Sequence, residues 1–252
     1  MVTTTCVLIG VTLPYGGESQ LANTGKQRND PPLVAPGQEG RSKMSNPDYT
    51  ALMLVVDRSG SMSSIRNDMV GGLTSLVEEQ TAEPGLLTLS MVTFDDVVEL
   101  AHSMVTPENV EIALEPRGST ALYDALGFAL TTLQASIDAL PEAVRPGNVQ
   151  VVVVTDGEEN ASKQYTGPAL KRLVTEKLEE QKWDIVFLGA NQDAVMKAAE
   201  IGVKRESAMT YKADAKGVKD SFDAVKRYVK DKKDLGDAFF NEDERKRASG
   251  DE

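Results

Sequence analysis

Val149-Gln150-Val151-Val152-Val153-Val154-Thr155-Asp156-Gly157 is the stretch that decides the fold. Four successive valines put β-branched apolar side chains on both faces of an extended chain. Such a run belongs in the interior of a sheet covered on both sides, as parallel sheets are. It stops abruptly at Asp156-Gly157, a pair suited to a tight turn.

Working outward, apolar strand-like runs alternate with helical periodicity. Ala51–Val56 is a second buried strand, and Asp184–Gly189 a third. Leu86–Phe94 and Val97–Val105 are β-rich runs separated by Asp95-Asp96, which predicts a hairpin closed by Pro107. Helical spacing appears at Ile65, Met69, Leu73, Leu76 and Val77, ending before Pro84-Gly85, and again from Ala121 to Leu140, which Pro141 ends. Further helices are expected over Ala169–Gln181, Ala194–Ile201 and Val218–Val229, with an edge strand at Ala208–Tyr211. The expected fold is α/β: a Rossmann-like three-layer arrangement, its central sheet mostly parallel with one antiparallel strand, and helices on both faces.

Composition narrows the function classes. The 252 residues carry 27 Lys+Arg against 39 Asp+Glu, a formal net charge of −12. Tracking a nucleic-acid backbone or an anionic membrane needs clustered positive charge, so neither partner is expected. One cysteine, Cys6, excludes an internal disulfide framework and any multi-cysteine metal site, and points to a reducing, cytoplasmic setting rather than secretion. One histidine, His102, leaves no histidine cage; it lies in a strand-like run and reads as structural. No apolar run approaches the roughly 20 residues of a membrane-spanning helix.

The ends differ from the middle. Residues 1–45 are expected to be disordered or a mis-annotated extension, because Pro14–Lys43 is rich in Gly, Pro, Asn, Gln and Ser without apolar periodicity. Cys6–Leu13 is apolar but lacks the basic start and the cleavage pattern of a secretory signal. Met44, just ahead of the first core strand, is a second candidate start of translation. The domain is expected over 46–230, and 231–252 reads as a charged tail.

In such sheets, ligands bind beyond the carboxyl ends of the strands. Three loops fall there: Asp57-Arg58-Ser59-Gly60-Ser61, Arg117-Gly118-Ser119-Thr120, and Thr155-Asp156-Gly157-Glu158-Glu159. They offer two carboxylates and three hydroxyls, a hard-oxygen set suited to Mg²⁺ or Mn²⁺ rather than Zn²⁺. Asp57-x-Ser59-x-Ser61, Thr120 after Gly118-Ser119, and Asp156-Gly157 after a buried strand resemble the von Willebrand factor A domain family over about Tyr49–Val229. That resemblance implies a metal-ion-dependent adhesion site. Ser59, Ser61 and Thr120 would supply hydroxyl oxygens, and Asp57 and Asp156 would bind directly or through water. It also implies a non-enzymatic module that binds a partner's Glu or Asp through the metal. The partner would be a separate AAA-type ATPase or an assembly component.

Plainer readings exist for the same residues. Asp57, Ser59 and Thr120 are also good helix N-caps, and Asp156-Gly157 a simple turn. Ser119 stands where the family often has a second glycine, in a turn that favours glycine's φ. Glu158 and Glu159 would either strengthen metal affinity or repel an acidic partner. From another class, a Mg²⁺-dependent phosphohydrolase could use Asp57 as nucleophile, but Ser59 stands where such enzymes place a second carboxylate, and the nearest cation is Arg58. A structural component of a larger assembly is compatible with the binding-module reading.

Overall fold

The computed structural model describes residues 45–190 and 193–251. Six strands form one sheet: β1 (Asn46–Asp57), β2 (Leu86–Phe94), β3 (Val98–Val105), β4 (Pro146–Thr155), β5 (Asp184–Ala190) and β6 (Ala208–Tyr211), in the order β3-β2-β1-β4-β5-β6. Every neighbouring pair is parallel except β2–β3. The expected architecture is the one observed, and the valine run is the central β4.

Side-chain alternation divides the core into two layers. Leu52, Leu54 and Val56 of β1, with Val152 and Val154 of β4, face α1 (Arg66–Ala82) and α5 (Ala215–Leu235). Ala51, Met53 and Val55, with Val151 and Val153, face α2 (Leu122–Asp138), α3 (Gly167–Glu179) and α4 (Ala194–Glu200). A strand that must satisfy both layers cannot alternate apolar with polar, which explains the continuous valines.

After β1 the chain builds β2 and β3 on one side, then crosses back to lay β4 against the other edge of β1. The β1/β4 boundary is therefore the switch point of the sheet, where neighbouring loops diverge and leave a crevice at the strands' carboxyl ends. Asp57 ends β1 and Thr155 ends β4, both at this crevice.

The carboxyl-terminal residues depart from expectation. Instead of a tail from 231, α5 continues to Leu235 and stops at Gly236, whose left-handed φ of 79° suits glycine. A further helix, α6 (Glu242–Ser249), then docks, started by a capping box between Asn241 and Glu244. Arg227 of α5 grips Glu244 with two bonds, of 2.6 and 2.8 Å, Phe240 packs on Tyr228 with ring centroids 4.9 Å apart, and the Ala248 carbonyl accepts the Lys212 N–H. The few apolar anchors, Ala238, Phe240 and Ala248, are too sparse among the charges to make a periodic signal. The expectations for residues 1–44, Cys6 and Met44 included, concern positions outside the described residues.

Candidate functional site

Asp57 is fully buried, and its carboxylate is tied at both oxygens. Oδ1 accepts the Ser59 N–H at 2.6 Å, and Oδ2 accepts the Thr155 hydroxyl at 2.6 Å. Ser59 and Ser61 bring their hydroxyls within 3.0 Å of each other, and Ser61 donates to Asp156 Oδ1 at 2.6 Å. Thr120 joins them across Gly157. A Cβ placed on that glycine would lie 2.5 Å from Thr120 Oγ1 and 3.4 Å from Asp57 Oδ2, so both oxygens face one point. All five sequence-predicted residues thus meet at the β1/β4 crevice.

The capping alternatives find little support. Ser59 begins a short 3-10 turn, Gly60–Ser64, without a side-chain capping bond, and the N-cap of α2 is Ala121 rather than Thr120. The turn before Thr120 takes its positive φ, 67°, at Gly118, so Ser119 meets no such demand.

Burial pushes the Asp57 carboxyl above its ordinary range, against hydrogen bonds from Thr155 and Ser59 that pull it down. Burial raises Asp156 as well; the Ser61 hydrogen bond opposes this and the Asp57 charge adds to it. Among the described residues neither carboxylate has a cationic partner. Arg58, although next to Asp57, turns away: its Nε donates to Asp95 at 3.0 Å and its Nη1 to Glu99. Arg117 donates to the same Asp95 oxygen at 2.7 Å, while Val97 N–H takes the other. Burial works to raise the Asp95 carboxyl, but the Arg117 and Val97 bonds and the two guanidinium charges hold it below its ordinary range. Asp95 is therefore more than a hairpin residue. It clamps the loop after β1 to the loop before α2, a role invisible in the local Asp95-Asp96 pattern.

Glu159, expected beside the metal, instead accepts the Tyr123 N–H at 2.9 Å and the Ser162 hydroxyl at 2.7 Å. Glu158 remains exposed. Thr155 and Asn160 are neighbours of the site that sequence spacing does not reveal: one holds Asp57 and the other Thr120. His102 lies on β3 opposite Met91.

This chain superposes on a von Willebrand factor type A structure from Catenulispora acidiphila with a TM-score of 0.51 and 14% identity, over 71% of this chain and 42% of that one. The fold is that of a von Willebrand factor A domain. The same A-domain fold relates it to proximal thread matrix protein 1 from the mussel byssus, with a TM-score of 0.53 and 16% identity over 74% of this chain and 46% of that one. A further structure of that protein has a zinc-occupied MIDAS motif; it matches with a TM-score of 0.51 and 18% identity, over 75% and 46% of the respective chains. This chain spans less than half the length of these A-domain structures. No family profile and no curated protein matches it. No helix among the described residues is long and apolar enough to cross a membrane.

Proposed function

We propose that Asp57, Ser59, Ser61, Thr120 and Asp156 hold a divalent cation, Mg²⁺ or Mn²⁺, and that the chain is a non-enzymatic protein-binding module whose partner presents a Glu or Asp to that ion. The observation that carries this reading is the convergence itself: two carboxylates and three hydroxyls from three separate loops share one crevice. The donor set fits the group. Hard oxygens suit Mg²⁺ or Mn²⁺, and among the described residues the bonds holding the two carboxylates come from hydroxyls and a backbone N–H. A bound divalent ion would supply a Lewis-acidic centre, and because three of its donors would be weakly donating neutral hydroxyls, a coordination position left open would attract a partner's carboxylate.

Each residue has a task in this reading. Asp57, fixed at both oxygens, keeps its orientation without help from a ligand. Ser61 is the hinge of the set, donating to Asp156 now and free to turn its oxygen to a cation, since a hydroxyl both donates and accepts. The zinc-occupied MIDAS of the mussel protein supports a divalent ion at the corresponding crevice of this fold. The hydrolase alternative has less behind it, because Arg58, its nearest cation, is engaged by Asp95 and Glu99. We carry the cytoplasmic setting forward on the single cysteine, and the class of partner, an ATPase or an assembly component, on the resemblance alone.

The test is capture of acidic-loop peptides or lysate proteins on immobilised protein in Mg²⁺, Mn²⁺ or EDTA, beside Asp57→Ala. Capture that needs both the metal and Asp57 supports the module; capture indifferent to both sinks it.

A further inference from the structure

Helix α2 begins without a cap of its own. The first N–H groups of any helix lack intrahelical acceptors, and an alanine at the N-cap, here Ala121, has no side chain to offer. The acceptors arrive from the loop after β4. Glu159 Oε2 takes the Tyr123 N–H at 2.9 Å, and Ser162 Oγ takes the Asp124 N–H at 3.0 Å. The grip is returned, because Asp124 accepts the N–H groups of Lys163, Gln164 and Tyr165 at 2.7, 2.9 and 2.7 Å. Thr120, one residue before the cap, lies inside this clasp. Its N–H donates to Asn160 Oδ1 at 3.0 Å, and its carbonyl accepts from Asn160 N at 3.0 Å and Ala161 N at 3.2 Å.

We infer that Asn160 is a positioning residue for the candidate metal ligand Thr120, holding it in place through a two-way hydrogen-bonded pair within the loop that also carries Asp156. This rests on the metal-site reading above. The physical case is that a hydroxyl ligand is weak and contributes only where it is already aimed, so partners that orient it govern affinity. Thr120's aim depends on the Cα position of a residue outside any helix or strand, and Asn160 fixes that position from both sides of its peptide. The Glu159, Ser162 and Asp124 contacts keep the loop seated, and Asn160 transmits that seating to the ligand.

The experiment is Mn²⁺ titration of the full chain, comparing wild type, Asn160→Ala and Asn160→Asp, with unfolding midpoints in EDTA and exchange of the Thr120 amide. Asn160 is exposed, so all three are expected to fold with similar EDTA midpoints. Asn160→Ala should weaken Mn²⁺ binding by about tenfold, the lower end of the effect for outer-shell partners, and speed exchange at Thr120. Asn160→Asp, which retains the acceptor, should restore both. Equal Mn²⁺ affinity in wild type and Asn160→Ala overturns the positioning role while leaving the five-residue site standing. Weakened affinity with no slowing of Thr120 exchange in Asn160→Asp also overturns it, since the loss then does not run through the Thr120 N–H. Failure of the wild type to bind Mn²⁺ at all overturns the site reading and this inference with it.

Discussion

Ser61 donates its hydroxyl to Asp156 across 2.6 Å, joining the loop after β1 to the turn after β4 over 95 residues of chain. That bond spans the switch point of the sheet, and it is the contact a divalent ion is expected to rearrange. Thermal unfolding should show it. A ligand at a hundred times its Kd stabilises by about 2.7 kcal/mol, on the order of 5–10 °C for a domain of this size. Mg²⁺ or Mn²⁺ should raise the wild-type midpoint by that order and leave Asp156→Asn unmoved. In EDTA, where two neighbouring carboxylates repel without a cation between them, Asp156→Asn should melt no lower than wild type. A variant that melts far below wild type in EDTA would show Asp156 to be structural.

Gly157 separates Thr120 from Asp57 with no room for a side chain. Gly157→Ala sets a Cβ 2.5 Å from Thr120 Oγ1, closer than real contacts allow, so the threonine must move. The expected outcome is loss of most of the metal-induced rise in midpoint, with a smaller change in EDTA. An unchanged metal response would remove Thr120 from the ligand set.

Asp95 is buried between Arg58 and Arg117, whose side chains are 10% and 54% exposed. Leaving a buried charge wholly uncompensated costs roughly 3–5 kcal/mol, but without Asp95 the Arg58 guanidinium keeps Glu99. Asp95→Ala should therefore lose about 2–3 kcal/mol in urea unfolding, from the broken buried bonds to Arg58 and the Val97 N–H. Arg117→Ala, at the exposed end of the same network, should lose about 1 kcal/mol or less. Equal losses would contradict the clamp as described.

Asp184 lies under α5, taking the Tyr228 hydroxyl at 3.0 Å, and among the described residues its other oxygen has no hydrogen-bond partner. Burial raises its pKa, against the charges of Lys232 and Lys204 and the Tyr228 bond. A carboxyl raised on folding binds its proton more tightly in the native state. Its contribution is therefore complete below the ordinary carboxylate value and is lost as pH rises through the native one. Relative to Asp184→Asn, wild type should lose midpoint steadily from about pH 4 upward. A wild-type-to-variant difference that stays flat over that range would show that Asp184 is not perturbed.

The segment after Gly236 is expected to be integral to the domain. Ending the chain there uncovers Tyr228, removes buried Phe240 and Ala248, and takes Glu244 from Arg227. The lost apolar burial alone predicts a deficit of roughly 3 kcal/mol. Limited proteolysis offers an independent check, since a frayed tail would be trimmed at once from intact protein.

The sequence by itself determined the layers and the oxygen-bearing side chains of the candidate site. Continuous valines specify a doubly covered strand, helical spacing at Ile65–Val77 and Leu122–Ile137 specifies covering helices, and three short oxygen-rich loops mark the ends of the right elements. These signals are local, set by side-chain period and by turn chemistry, and so survive in one dimension. Only the tertiary structure decided which partners hold each of those side chains. Arg58 faces Asp95 and not Asp57, Glu159 caps a helix whose own N-cap is alanine, and Asn160 holds Thr120 from 40 residues away. It also decided that the charged residues after Lys230 fold, because Arg227 and Glu244 pair across a turn and Phe240 packs on Tyr228. Such partnerships depend on where two distant segments come to rest, and neither segment's pattern carries any trace of the other.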